Sequence, residues 1–340
     1  MSSLERVRTV IRRPALPRHE MRLEREVDAL AKRLESAEAI ASIQEEPYWP
    51  KWDSPWWWMT LLWEMGEAKR IPRAAAEAMA RTLATHYLPI FPLREEEIPP
   101  GTDVYRHVMC HCALGTMYRV LRTCGIDVDA ALPGARPWFL RYQMTDGGLN
   151  CDEAAYTRPV PRSSMVSTLP PMEAILLGSP GVLTPDEERF LDRGAGYILA
   201  RSLFRSVSRG GAPIREEWLT PCFPRFYFYD VLRGLQFIVC WGLLRRQPIP
   251  AASIVESVEA IDRAARTGGL RPRREFDGAK TRGHGPEGRW TARVEATAFP
   301  LLELAGDSSR PSAVLHLSWE GACAALCVLD GQGHLVDEGG

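Results

Sequence analysis

The feature that most constrains this chain is a recurrence. Segments that are apolar around most of a helical circumference return every ~50–65 residues, with charged-face segments between them. The apolar segments start near positions 56, 103, 163, 225 and 291, with a shorter last step to 319. The segments near 25, 74, 187 and 255 carry charged faces, for example Glu187, Glu188, Asp192 and Arg193, or Glu256, Glu259, Asp262 and Arg263. A helix that is apolar all round must be buried, and an amphipathic one faces water. Their alternation predicts an all-α chain built as an α/α toroid (barrel) of five or six helical hairpins, with inner and outer helix rings.

Punctuation along the chain supports this reading. Asp53-Ser54-Pro55 and Thr184-Pro185-Asp186-Glu187 are helix starts, with a cap residue followed by proline. Asp103 can cap a long helix that reaches Cys124 and stops at Gly125. Helices are also expected over Pro137–Gln143, Arg225–Arg245, Ser253–Arg266, Trp290–Leu304 and Trp319–Leu329, and nothing reads as strand. Residues 1–18 are basic and hold Pro14 and Pro17, so they read as a flexible arm. Residues 19–332 then form a single toroid domain, and 333–340 form a tail. Residues 267–289, with His284 among them, are rich in Gly, Pro and charge. They read as a flexible loop whose composition suits a lid or plain disorder.

Composition excludes several functions. With 42 Lys+Arg against 43 Asp+Glu, the 340-residue chain has a net charge of −1, so it lacks the basic surface of a nucleic-acid-binding protein. No run approaches ~18 consecutive apolar residues, so no transmembrane segment is expected. The N-terminus has no apolar leader core, and the eight cysteines then suggest reduced thiols in a cytoplasmic setting.

Gln143-Met-Thr-Asp146-Gly147-Gly148-Leu149-Asn150-Cys151 resembles the Q-x-x-D-G-G/S-W segment of squalene–hopene cyclases and protein prenyltransferase β subunits. Fainter echoes are Gly268-Gly269-Leu270 and Gly285-Pro-Glu-Gly288-Arg289-Trp290. The stretches 163–174 and 224–235 resemble the inner helices of that toroid superfamily. The resemblance is to bacterial members of the terpenoid cyclase/prenyltransferase superfamily. It spans about residues 50–330 as architecture, with specific motifs over 100–235. Each standard mechanism departs at its own motif. Asp127-Val-Asp129 lacks the terminal pair of D-x-D-D, D-D-x-x-D is absent, and Cys151-Asp152 inverts the zinc-binding Asp-x-Cys order.

The resemblance implies a central cavity opening at the N-terminal ends of the inner helices. Trp52, Trp56, Tyr105, Arg106, Arg162, Arg225, Tyr227 and Arg233 are the expected substrate-binding residues there. Aromatic faces shelter a cation or pack an isoprenoid chain, and arginine grips a carboxylate or phosphate. The alternative is that the rings fill the core and the arginines pair with acidic neighbours. Asp230, Asp152, Asp146, Tyr156 and Tyr229 are the expected catalytic groups, since a carboxylic acid in an apolar pocket can donate a proton near neutral pH. Asp230 can instead pair with Arg233, and Asp146 can simply form its Asp-Gly turn. His107-Val-Met-Cys110-His111-Cys112 is the densest set of metal-ligand types. On one continuous helix His107 and His111 share a face, and Cys151 or Asp152 could supply a further zinc ligand across the cavity.

Three functions follow as expectations. The first is an enzyme that cyclises or rearranges an isoprenoid or similar apolar small molecule by acid–base chemistry. The second is a zinc-dependent transferase or hydrolase using the His/Cys site. The third is a non-catalytic toroid binding a lipid or a partner.

Overall fold

The computed structural model describes residues 1–16, 22–178, 181–276, 280–285, 287 and 289–337. The chain is largely helical. Helices α1 (Ser3–Ile11), α2 (Glu24–Leu34), α3 (Ala37–Glu45), α4 (Pro55–Glu64) and α5 (Arg73–Thr85) lead to a single turn, α6 (Val104–His107). They are followed by α7 (His111–Thr123), α8 (Val128–Ala131), α9 (Ala135–Arg141), α10 (Ala154–Thr157), α11 (Met165–Gly178) and α12 (Pro185–Leu199). The last are α13 (Val231–Arg245), α14 (Val255–Gly268), α15 (Pro300–Ala305) and α16 (Ala313–Gly331).

Helices α4, α7, α11, α13 and α16 pack in that succession. All five contribute side chains to one cavity of about 310 Å³. The apolar character read from the sequence matches burial along most of this series: α4 buries Trp56 through Leu62 without a break, and α11 buries nearly its whole length. The amphipathic helices α5, α12 and α14 bury one stripe each. Helix α16 is long and apolar enough to cross a bilayer by length and composition. Its Leu315, Trp319, Ala322, Leu326 and Leu329 are nonetheless buried, and it packs on α13 and α1.

Several expectations change. Residues 3–11 of the expected arm form α1. Ser2 and Glu5 make a reciprocal capping box, and Val7, Val10 and Ile11 enter the core. The basic residues that suggested an arm face acidic partners: Arg6 pairs with Glu259 at 2.5 Å and Arg8 with Asp330 at 2.8 Å. Residues 17–21, where that arm was expected to end, lie outside the described residues, as do 338–340 of the tail. Leu335 of the tail is buried, and β4 (Leu335–Val336) pairs in parallel with β1 (Ile249–Pro250).

Strands also replace part of two expected segments. β2 (Lys280–His284) and β3 (Trp290–Glu295) form an antiparallel hairpin. Thr281 stands opposite Val294 and His284 opposite Trp290, with a register shift after Thr281. Helix α15 starts only at Pro300, where proline suits the first helical turn. Of the loop 267–289, residues 277–279, 286 and 288 lie outside the described residues. The expected helix over 103–124 is broken. The His107 carbonyl accepts from Leu88 N–H at 2.8 Å, Val108 is extended, and Cys110 becomes the N-cap of α7. The helix expected from Arg225 starts at Val231, because Asp230 caps it through the Arg233 N–H.

The tightest approach is between α7 and α11. A Cβ added to Gly115 would lie 2.5 Å from the Pro170 carbonyl carbon, closer than any real contact. Gly115→Ala is therefore expected to lower stability by about 1–3 kcal/mol, the usual range for overpacking a core. Urea unfolding checks this, and a change within the error of the wild-type midpoint would refute it.

Candidate functional site

The break before α7 decides which side chains meet. Cys110 and Cys112 lie two residues apart across the helix start and point to the same side, while His111 points away. Cys151 reaches them through the Asp146-Gly147-Gly148 turn. Gly147 has φ +95°, and a Cβ there would lie 2.3 Å from the Arg193 carbonyl oxygen. A Cβ on Gly148 would lie 2.5 Å from Ser163 Cβ. Glycine at both positions lets the turn sit against α11 and α12. Leu149 N–H then donates to Thr168 Oγ1 at 2.8 Å, and Cys151 N–H to Ser167 Oγ at 3.0 Å.

The result is a three-cysteine cluster. Cys110 and Cys112 Sγ are 3.2 Å apart, Cys112 and Cys151 Sγ 3.7 Å apart, and all three sulfurs lie within 4.8 Å of one another. Tetrahedral zinc–sulfur bonds of about 2.3 Å place neighbouring sulfurs about 3.8 Å apart, so the spacing suits one ion. Hydrogen bonds from Cys112 and Cys151 hold the Cys110 thiol well below its ordinary pKa, against the opposing effect of burial. The Ala113 N–H at the start of α7 adds to this. Burial pushes the Cys151 thiol up.

Cys110 and Cys151 line a cavity of about 510 Å³ whose other walls include Tyr48, Trp49, Trp56, Tyr87, Phe91 and Tyr105. Lys51 lines it too, and its ammonium donates to Tyr227 Oη at 3.1 Å and lies over the Trp49, Trp52 and Tyr227 rings. Burial lowers the Lys51 pKa, and the nearby Cys110 and Cys112 oppose that shift. At the rim, the Arg282 guanidinium of β2 lies 3.6 Å from the Tyr105 ring centre, and Lys51 N–H donates to Thr281 Oγ1 at 2.7 Å.

Of the expected metal ligands, only Cys151 joins the cluster. His111 is fully buried on the other side of α7, accepting from Trp138 Nε1 at 2.7 Å and meeting Tyr156 Oη at 3.0 Å. Both of its ring nitrogens are engaged, and burial lowers its pKa to about 4. His107 lies beyond the break, against the His86 ring, with Nδ1 3.1 Å from the Asp103 carbonyl. The continuous helix that would have aligned the two histidines does not exist.

The expected catalytic groups are engaged in caps, turns and ion pairs. Asp230 is fully buried and accepts from the N–H groups of Cys222 and Arg233 and from Arg225 Nε. Tyr229 Oη donates to the Leu203 carbonyl at 2.6 Å. Asp146 holds its own turn, accepting from Gly148 N–H, Ser163 Oγ and Arg201. Asp152 accepts from Ala154 N–H and pairs with Arg158. Tyr156 Oη donates to the Tyr142 carbonyl and accepts from Asn150 N–H. None of these five side chains lines either cavity described here.

Of the expected substrate-binding residues, Trp56 and Tyr105 line the aromatic cavity. Tyr227 meets it through Lys51. Trp52 is buried behind it, stacked on Phe226 at 5.6 Å. Arg106 lies over the Trp290 ring and 3.6 Å from Glu46, and Arg162 is exposed. Arg225 and Arg233 belong instead to the central 310 Å³ cavity. There Glu173 takes both Arg233, through Nε at 3.0 Å and Nη2 at 2.8 Å, and Arg119, through Nη1 at 3.0 Å. Sequence reasoning did not single out Lys51, Glu64, Arg119 or Glu173. Cys110 and Cys112 did carry a signal, a C-x-C pair, but were read as neighbours of the histidines.

Burial alone would raise the Glu173 carboxyl, but Arg233 and Arg119 overcome it and hold the group at about 2. An unfolded glutamate titrates near about 4.3, so the folded state binds fewer protons. Its contribution to stability is complete above that value and is lost as pH falls towards 2. Glu173→Gln leaves two buried guanidiniums under-compensated and should cost about 3–5 kcal/mol at neutral pH. It should also flatten the acid limb of stability below about pH 4. Unfolding curves across that range check both, and an unchanged acid limb would refute the assignment.

No protein-family model, no curated protein and no solved structure matches the chain.

Proposed function

We propose that the protein is a metal-dependent transferase acting on an apolar, isoprenoid-like small molecule, with Cys110, Cys112 and Cys151 as the metal ligands. The observation that carries this reading is three cysteine sulfurs within 4.8 Å of one another at the wall of an aromatic cavity. Three protein ligands leave the fourth position of a tetrahedral ion for substrate, the arrangement of catalytic rather than structural zinc. Bound zinc would hold a substrate thiol as its thiolate, the stronger nucleophile.

The charge of the site favours transfer over hydrolysis. Three thiolates around a divalent cation leave a net −1, which weakens its pull on a bound water but favours a nucleophilic sulfur. In the transfer, the sulfur forms a bond to an electrophilic carbon while that carbon's bond to its leaving group breaks, and the pair departs with the leaving group. The thiol proton would pass to solvent as the thiolate forms. Trp49, Trp56, Tyr87 and Tyr105 line the cavity, a lining suited to an apolar chain and to positive charge developing on carbon. Lys51 supplies the counter-charge near the sulfurs.

This reading takes the fold as an α/α toroid, with α4, α7, α11, α13 and α16 as the inner ring. Support comes from their pairwise succession and their shared central cavity. The Asp146-Gly147-Gly148 turn, whose sequence resembles cyclase and prenyltransferase turns, then sets Cys151 beside Cys112 ahead of the following inner helix. Acid–base cyclisation is the weaker reading, because Asp230, Asp152 and Asp146 are held in caps and ion pairs away from the cavity.

Protein produced with zinc available and without a histidine tag should hold about one zinc per chain by elemental analysis. Cys112→Ala and Cys151→Ala should each lose it, and His107→Ala should keep it. Metal-free wild-type protein that also fails to take up added zinc would overturn the proposal.

A further inference from the structure

We propose that the central cavity between α4, α7, α11, α13 and α16 is a second ligand site, distinct from the cysteine cluster, and that it takes a small monocarboxylate with an apolar body. The case begins with a surplus of donors. Every guanidinium nitrogen of Arg233 is engaged, by both oxygens of Glu173 and by the carbonyls of Phe226 and Phe228. Arg225 is not. Its Nε donates to Asp230 and its Nη1 to Gln236 Oε1, but Nη2 is buried with no hydrogen-bond partner. A guanidinium nitrogen left this way is costly unless something accepts from it.

The charges point in the same direction. Three guanidiniums, Arg119, Arg225 and Arg233, meet two ion-paired carboxylates, Glu173 and Asp230. The remaining carboxyl, Glu64, accepts from Arg225 N–H at 2.7 Å, and burial raises its pKa to about 7 despite Arg233 and Arg225. In the protonated form of Glu64 the cluster carries one unbalanced positive charge, and a monoanion complements it.

Size and lining narrow the class. At about 310 Å³ the cavity is at the small end of ligand pockets. Trp63, Phe223, Phe237 and Val314 line it beside the arginines, so the anion it suits has an apolar body. Leu177, another lining residue, is 42% exposed, which places solvent at the edge of the cavity. Arg225, held by two other bonds, leaves one guanidinium nitrogen to donate a charge-assisted hydrogen bond to one carboxylate oxygen.

The test uses the full-length protein, calorimetric titration and benzoate as the probe, with benzamide as the uncharged control. Benzoate should bind saturably with one site per chain, and benzamide should not. Arg225→Lys keeps the charge but removes Nη2, and should weaken benzoate by about 10–100-fold, the loss of one charge-assisted hydrogen bond. Because Arg225 also braces Asp230, a second variant, Val314→Trp, fills the cavity while leaving every arginine in place. It should abolish binding with helicity unchanged. Cys112→Ala should retain saturable benzoate binding at one site per chain, which separates this site from the metal proposal. No saturable binding by the wild type up to about 10 mM, equal binding of benzamide, or benzoate binding that survives in folded Val314→Trp would each overturn the inference.

Discussion

The contact between α7 and α11 supports almost everything else in this molecule. It exists because Gly115 has no side chain and the backbone of Pro170 and Pro171 can lie directly against it. That approach sets the cysteine side of α7 against the Asp-Gly-Gly turn at the start of α11, so that Cys112 lies 3.7 Å from Cys151. Two turns further along the same pair of helices, it sets Arg119 against Glu173 at 3.0 Å. Both chemically interesting regions therefore hang on one glycine–proline contact. Strain introduced there would reach the thiol cluster and the central ion network together, since close-packed interiors transmit displacement rather than absorb it.

Helical content was legible from periodicity because burial on one or all sides leaves a direct mark on residue spacing. The apolar stretches of α4, α11 and α13 and the charged faces of α12 and α14 lie where that pattern puts them. Breaks were harder to see. Nothing between Asp103 and Cys124 forbids a continuous helix; it ends at His107 because that carbonyl meets the Leu88 N–H, a partner far away in sequence. The same applies to α1, whose arginines looked like a solvated basic run until Glu259 and Asp330 faced them. The local signal that was present, the Ser2–Glu5 capping box, was outweighed by composition.

The candidate site followed the fate of that one helix. With the helix intact, His107 and His111 would share a face; with it broken, Cys110 and Cys112 do, and His111 turns into a polar and aromatic nest with Trp138, Tyr142 and Tyr156. The segment singled out in the sequence does hold clustered ligand types, but it is its cysteines, not its histidines, that the fold brings together. The acidic candidates lie outside the two cavities for a related reason. Asp146, Asp152 and Asp230 all sit beside turns or helix starts, where a carboxylate is most useful for satisfying free N–H groups, and local sequence does not distinguish that use from a catalytic one.

The two cavities differ in the sign of the charge they suit, and this gives the molecule a polarity that neither shows alone. The aromatic cavity gathers sulfurs suited to a cation, with Lys51, Arg94, Glu95 and Glu153 also in its walls, while the other is lined by Arg119, Arg225 and Arg233 against Glu64 and Glu173. Helices α4 and α7 contribute to both. Trp56 and Glu64 lie at opposite ends of α4, and Cys110 caps the α7 start while Arg119 lies two turns on. An electrostatic change in one cavity is thus felt across less than the length of a short helix, in a core that screens charge far less than water does.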